Sequence, residues 1–238
     1  MGKKQKSNDV CYWCGDIPTS KEHIPPKCLF KAVRGNKQLI TVPSCAKHNT
    51  EKSDLDTYFM VAMGGTLGTL SKAGLTFAND RLSKTAGHFG GNLNAIINPK
   101  ERVVLNVAGL DFSDGAICEI DFAKISVSIE AIARGLWYDM YKKPFSGELT
   151  LFEPIFPAMS YPNGQPQLLN FELQEDRQGQ CPEIFWYQFL EKTSLNGVFE
   201  FSSEWIDVAI LKMCFFNSTT VSVLYNRQGK NRTAAIML

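Results

Sequence analysis

Histidine is scarce in this chain, at three of 238 residues. Long apolar runs are absent too: no stretch of about 18 consecutive apolar residues predicts a membrane-spanning helix. The first ten residues are basic but lack the apolar segment of a signal peptide. The seven cysteines are an odd number spread along the chain, which argues against a disulfide framework. These absences favour a cytoplasmic globular protein whose cysteines are metal ligands or buried thiols.

Charge is nearly balanced overall, at +1, but it is unevenly distributed. Residues 1–53 contain ten Lys or Arg and four Asp or Glu, whereas the remainder contains 15 basic and 20 acidic residues. A basic N-terminal segment suits a polyanionic partner such as nucleic acid. A solvated basic surface that binds no ligand is the alternative.

Residue patterning predicts an α+β fold. Residues 1–10 are polar and lysine-rich, which predicts a disordered basic tail, and Gly and Pro divide residues 11–49 into loops with a short strand near 39–42. Apolar residues at helical spacing predict helices over 50–63 and 126–143, the second with Ser128 as its N-cap. The remaining β-rich segments predict strands over 102–107, 116–122, 183–190, 197–201, 205–216 and 219–225. We expect an N-terminal unit at 11–64, followed at 65–238 by a mixed α/β region with an antiparallel sheet.

Two short-spaced pairs of candidate metal ligands lie in the basic segment. They are Cys11-x2-Cys14 and Cys45-x2-His48. Two such pairs on tight turns are typical of a tetrahedral structural Zn2+ site. Cys28 is an alternative fourth ligand in place of His48, although its apolar neighbours favour an ordinary buried cysteine.

The order of these residues resembles the HNH endonuclease family, in its zinc-knuckle ββα-metal form with a long C-terminal extension. The residues that carry the resemblance are Cys11-Cys14, Glu22-His23, Cys45-His48-Asn49 and Lys52, and it covers about residues 11–62. It implies that residues 11–64 form a zinc-stabilised ββα module. It also implies that His23 is a general base, that Glu22 and Asn49 hold a catalytic Mg2+ or Mn2+, and that Lys52 contacts a phosphate.

These roles agree with the chemistry of phosphodiester hydrolysis. The reaction needs an activated water and a neutralised phosphoryl group, and a neutral imidazole is a good base near pH 7. Simpler alternatives stay open: Asn49 as a helix N-cap and Lys52 as a solvated helix residue. Gln38 stands where the family has the middle Asn that orients the catalytic His. Gln38 itself and Asn36 are the two candidates for that role. Lys21, Lys27 and Lys47 are candidate nucleic-acid contacts, whereas His88 has no partner pattern and is taken as structural.

We therefore expect a metal-dependent endonuclease that cleaves DNA, with a role in bacterial anti-phage defence suggested by analogy alone. One alternative is an RNA-cleaving nuclease or toxin of the same chemistry. Another is a non-catalytic zinc-dependent module that binds nucleic acid or protein. Aromatic residues are frequent after residue 135; they predict a buried core or an interface with a protein partner or a second copy of the chain.

Overall fold

The structure, a computed structural model, describes residues 9–30, 39–65, 72–77, 80, 98–107, 110–152, 177–191 and 208–227. The predictions for Asn36, Gln38, His88, residues 1–8 and the strand at 197–201 lie outside these ranges. Helices and antiparallel sheets both occur, so the α+β fold class is confirmed.

The N-terminal segment is built on an antiparallel hairpin. Strand β1 (Ser20–Ile24) pairs with β2 (Ile40–Ser44), with Glu22 opposite Val42 and His23 opposite Thr41. Side chains alternate between the two faces of a strand. Glu22 and Ile24 are accordingly buried on the core-facing side of β1, whereas Lys21, on the other face, is exposed. Patterning predicted only the second strand, because Ile24 is the one apolar residue in β1.

A helix follows the hairpin as predicted, but it begins later. A 3-10 turn, η1 (Lys27–Phe30), follows β1, and a second, η2 (Thr50–Lys52), leads into α1 (Ser53–Gly65). Residues 58–64 of α1 are all buried, so this helix is enclosed by other elements rather than lying on the surface. A short helix, α2 (Lys72–Phe77), comes next, and the predicted pair of strands forms the hairpin β3 (Asn98–Val107) and β4 (Leu110–Glu119).

The long helix α3 (Phe122–Tyr141) starts before the predicted position. Asp121 is its N-cap: Oδ1 accepts hydrogen bonds from the backbone N–H groups of Ala123 and Lys124, at 3.1 and 3.3 Å. Ser128, the cap expected from the sequence, lies inside the helix and donates to the carbonyl of Lys124. The helix ends at Lys142, which adopts the left-handed conformation.

The C-terminal region contains a five-stranded antiparallel sheet. Its strands are β5 (Glu148–Leu151), β6 (Gln178–Cys181), β7 (Phe185–Glu191), β8 (Val208–Phe215) and β9 (Thr219–Asn226), in the order β5-β9-β8-β7-β6. Consecutive residues of β7 are buried on both faces, from Phe185 to Gln188. The aromatic residues of this strand therefore belong to the core, as the buried-core interpretation predicted.

One hydrophobic core joins the N-terminal segment to this sheet. Helix α3 crosses the hairpin so closely at Gly135 that an added Cβ would lie 2.5 Å from the side chain of Ile24. Phe59 of α1 packs edge-on against Phe215 of β8, with ring centroids 5.4 Å apart. The predicted boundary between an N-terminal unit at 11–64 and a C-terminal region at 65–238 stays a prediction. The N-terminal segment shares its core with the C-terminal region, which holds it in place. No helix within the described ranges is both long and apolar enough to cross a membrane.

Candidate metal centre and active site

The hairpin brings the two ligand pairs together at one end. Ser20 pairs with Ser44, so the turn before β1 and the turn after β2 lie side by side. Backbone hydrogen bonds join these turns, from Tyr12 N to Pro43 O and from Thr19 N to Ser44 O, both at 2.9 Å. The cysteines at 11 and 14 are thereby placed against the Cys45–His48 turn, as the spacing predicted.

The four side chains form a cluster with the dimensions of a metal site. Sγ of Cys14 lies 3.8 Å from Sγ of Cys45, and Nδ1 of His48 lies 3.6 Å from Cys11 Sγ and 3.2 Å from Cys45 Sγ. Ligands at about 2.0–2.3 Å from a tetrahedral Zn2+ are separated from one another by roughly 3.3–3.8 Å. All four ligand atoms lie within 4.8 Å of one another. This Cys3His cluster is placed to hold a structural metal such as zinc.

Electrostatics within the cluster also suit a cation. Burial acts to raise the pKa of the Cys11 thiol, but hydrogen bonds from backbone groups of Cys14, Cys45 and Trp13 outweigh it, so that pKa is lowered. Desolvation and hydrogen bonds shared with Asp16 and the other cysteines raise the pKa of Cys14 to about 12, so this thiol keeps its proton until a cation displaces it. Burial, then Lys47, lowers the pKa of His48, which favours the neutral imidazole that metals bind.

Two residues that patterning did not identify support the cluster from outside. The ring of Trp13 stacks on the imidazole of His48, with centroids 4.8 Å apart and planes 9° from parallel. The guanidinium of Arg134, on α3, lies 5.4 Å from the Trp13 ring centroid. Arg134 is itself fixed by Glu130 Oε1 at 2.8 Å and by the carbonyl of Phe145 at 2.9 Å. Nothing in the sequence links positions 13 and 134, because their contact depends on how α3 packs.

The core-facing side of the hairpin holds a buried ion cluster. Nζ of Lys52 donates to Oε1 of Glu22 at 2.9 Å and to Oδ1 of Asp56 at 2.7 Å. Desolvation raises the pKa of both carboxyls, against the opposing effect of Lys52. Burial acts to lower the pKa of Lys52, but Asp56 and Glu22 outweigh it and the pKa is raised. Lys52 is therefore a buried cation that two carboxylates share; Asp56 was missed, although its i,i+4 spacing from Lys52 was a signal for it.

Asn49 links the Cys45–His48 turn to β1 through two hydrogen bonds. Its Nδ2 donates to Oγ of Ser20 at 2.7 Å and to the carbonyl of Lys21 at 3.2 Å. Its side chain makes no capping hydrogen bond to the turn η2 that follows. Asn49 therefore stands at the N-cap position of η2 without a capping hydrogen bond from its side chain. Its role as a metal ligand stays a prediction.

The opposite face of β1 presents His23. His23 is half-buried, and its strand neighbour on this face, Lys21, is exposed. Burial, then the charge of Lys27, lowers the pKa of His23 below its usual value of 6.5. No residue in the described part of the chain hydrogen-bonds its ring. Lys21, Lys27 and Lys47 are all exposed, as residues that contact a polyanion must be.

The predicted catalytic residues therefore divide between two faces of the hairpin. Glu22 and Lys52 contact each other in the core, whereas His23 faces away from them because adjacent strand residues point to opposite sides. A hydrated Mg2+ needs accessible carboxylate oxygens and keeps several of its waters. The ammonium of Lys52 already lies against Glu22, so this arrangement does not fit a Mg2+ ion held by Glu22 and Asn49. The individual roles stay predictions.

Comparisons with other proteins do not add a family. The chain matches no family model, no curated protein and no solved structure. What carries the functional argument is the geometry of the Cys3His cluster and of the hairpin above it.

Proposed function

We propose that this chain is a nuclease of the HNH type, in which residues 11–64 form a zinc-stabilised ββα module and His23 activates the attacking water. The observation that carries the proposal is the position of His23. It lies on the solvent side of a hairpin whose open end is closed by the Cys3His cluster, with the exposed Lys21 on the same strand face and the charge of Lys27 acting on it. A cluster that joins the two strands at this end fixes the position of the strand that carries the base, and catalysis requires such positioning.

The chemistry assigned to His23 is general-base catalysis. Its lowered pKa keeps the imidazole neutral near pH 7, so it can accept a proton from water that attacks the phosphorus atom. Lys21 and Lys27 are placed to attract and orient the phosphate, and Lys47 extends the basic surface past the cluster. DNA is the proposed substrate, and RNA is the alternative.

A divalent cation would supply charge neutralisation at the scissile phosphate. The requirement for Mg2+ or Mn2+ stays part of the proposal, but Glu22 and Asn49 would bind the ion only if Glu22 left the Lys52 ammonium that now contacts it. Because Lys52 is bound to Glu22, we derive no reaction step through that ion. Cytoplasmic location and a role in anti-phage defence are proposals of the same kind, supported by sequence alone.

The test compares the wild-type protein with His23→Ala in a plasmid-nicking assay, titrated with Mg2+ and Mn2+ and run in parallel on single-stranded RNA. Loss of a general base typically costs about 10²–10⁴-fold in rate, and we expect a loss of that size. The variant must retain its zinc and its melting temperature. Equal nicking by both proteins would contradict the mechanism.

The pH dependence of cleavage provides a second test of the base. Only neutral His23 can accept a proton, so activity should fall as the pH drops through its pKa, which lies below 6.5. Lys27→Gln removes a positive charge that lowers this pKa, so the acidic limb should move to higher pH. Lys47→Gln is the matched control: the charge of Lys47 does not contribute to the pKa shift of His23, so this variant should leave the limb in place. An unmoved limb in Lys27→Gln would show that another group controls the rate.

A non-catalytic module is the second candidate, and one observation favours it. Glu22, His23 and Asn49 do not converge on one point, because Glu22 is held in the core by Lys52. A zinc-dependent module that binds nucleic acid or protein needs no such convergence. It predicts that wild-type and His23→Ala proteins bind DNA alike and that neither cleaves it at any cation concentration.

A further inference from the structure

An open cavity of about 280 Å³ lies beside the end of α3, away from the metal centre. The last turn of α3, the loop that follows it and the end of β9 form its walls. The residues used in the argument below are Trp137, Tyr141, Lys143, Phe145, Ser146 and Arg227. None of them belongs to the Cys3His cluster or to the proposed active site.

Aromatic rings form one side of this cavity. The centroid of Trp137 lies 4.2 Å from that of Tyr141 and 4.8 Å from that of Phe145. The guanidinium of Arg227 lies over them, 4.9 Å from the Trp137 centroid and 5.8 Å from that of Tyr141. A planar cation stacked on aromatic rings offers a flat surface on which a base can stack, and it keeps hydrogen-bond donors at its edge.

Positive charge is concentrated at the same place. Lys143 and Arg227 both line the cavity, and no Asp or Glu is among its lining residues in the described ranges. The hydroxyl of Ser146 adds a hydrogen-bond donor. Guanidinium and ammonium groups together with a hydroxyl are the usual partners of a phosphate. Charge complementarity therefore selects an anion.

A buried donor at this site lacks an acceptor. Nε1 of Trp137 is shielded from solvent and has no hydrogen-bond partner among the residues that the structure describes. Leaving such a group unpaired is costly, so an acceptor atom brought in by a ligand would be favoured. The nitrogen is closed off in the present arrangement, and Arg227 would have to shift for a ligand to reach it. Stacking and charge carry the inference, and this donor adds to it.

We propose that the cavity binds one nucleoside phosphate unit, either as a free nucleotide or as one residue of a nucleic-acid strand. Its volume, about 280 Å³, is just below the range of about 300–1,000 Å³ for ligand sites, which suits a single nucleotide. The base stacks against Tyr141 and Arg227, and Lys143 and Ser146 hold the phosphate. Binding uses neither His23 nor the metal cluster, so this proposal does not depend on nuclease activity.

Isothermal titration calorimetry on the zinc-loaded full chain, without added Mg2+, tests the proposal. The probes are the common ribonucleoside 5′-monophosphates, the matching nucleosides, inorganic phosphate and a short 5′-phosphorylated single-stranded oligonucleotide. We expect a monophosphate to bind at least about tenfold more tightly than its nucleoside or inorganic phosphate alone, because base and phosphate are both contacted. If the oligonucleotide binds more tightly still, the source is a strand; otherwise it is a free nucleotide.

Adjacent lysines provide the matched variants. Lys143 lines the cavity, whereas Lys142 is exposed and ion-paired with Asp139. Lys143→Gln should weaken binding by about tenfold, and Lys142→Gln should not change it. The proposal is overturned if no monophosphate binds at millimolar concentration, or if both variants weaken binding equally.

Discussion

Cys14→Ser is expected to lose the bound zinc and to unfold the N-terminal segment. Wild-type protein should contain about one tightly held zinc per chain, because the four ligand atoms are already gathered within 4.8 Å. Structural zinc sites contribute about 10–16 kcal/mol of apparent binding free energy near pH 7, and that energy is available for folding. The hairpin has only two strands, and although it packs against α3, the metal would join the turns at its open end. Metal analysis of the purified protein and its thermal unfolding curve measure the two effects.

Cys28→Ser is the matched control. Cys28 lies outside the cluster, and its Sγ is instead 3.7 Å from the backbone carbonyl of Asp56. This variant should retain its zinc, which also tests the alternative in which Cys28 replaces His48. A Cys14→Ser protein that stays folded with its zinc content unchanged would contradict the structural role of the cluster.

Lys52→Met is expected to destabilise the fold by about 3–5 kcal/mol, the usual cost of removing one partner from a buried ion pair. Lys52 is 8 % exposed and is the cation shared by Glu22 and Asp56. Methionine matches its stem in size but leaves both carboxylates without a counter-charge. Urea unfolding of the zinc-loaded protein measures the loss.

The loss of stability in Lys52→Met should also depend on pH in a defined direction. Desolvation already raises the pKa of Glu22 and Asp56, and removing Lys52 raises both further. A carboxyl with a raised folded-state pKa destabilises the fold fully above that pKa, and this penalty is lost as the pH falls from the folded-state pKa to the lower unfolded-state pKa. The difference in unfolding free energy between variant and wild type should therefore shrink as the pH falls.

Two further variants distinguish charge from packing. Adding Glu22→Gln and Asp56→Asn to Lys52→Met removes the unpaired charges and should restore part of the stability. Lys142→Met removes an exposed lysine from an ion pair with Asp139 and should change stability by less than about 1 kcal/mol. If Lys52→Met costs no more than Lys142→Met, the buried cluster does not stabilise the fold.

Local sequence was sufficient for the features that depend on near neighbours. The spacing of Cys11-Cys14 and Cys45-His48 predicted the metal cluster, because each pair fits one tight turn. Helices α1 and α3 and strands β7, β8 and β9 were predicted from their apolar patterns. The predicted start of α3 was wrong. Asp121 and Ser128 are both acceptable N-caps, and only the structure shows that Asp121 is the one used.

Contacts between distant residues were decided by the tertiary structure. Glu22 and His23 are adjacent in the sequence, yet the pleat of β1 directs them to opposite faces, and β1 could not be predicted from its own residues. Lys52 then reaches Glu22 across 30 positions of the chain, because the turn η2 lies beside the core-facing side of β1. The sequence by itself determined which residues gather in the Cys3His cluster. The packing of the helices determined which of the others face solvent and which are enclosed, because burial depends on elements far apart in the chain.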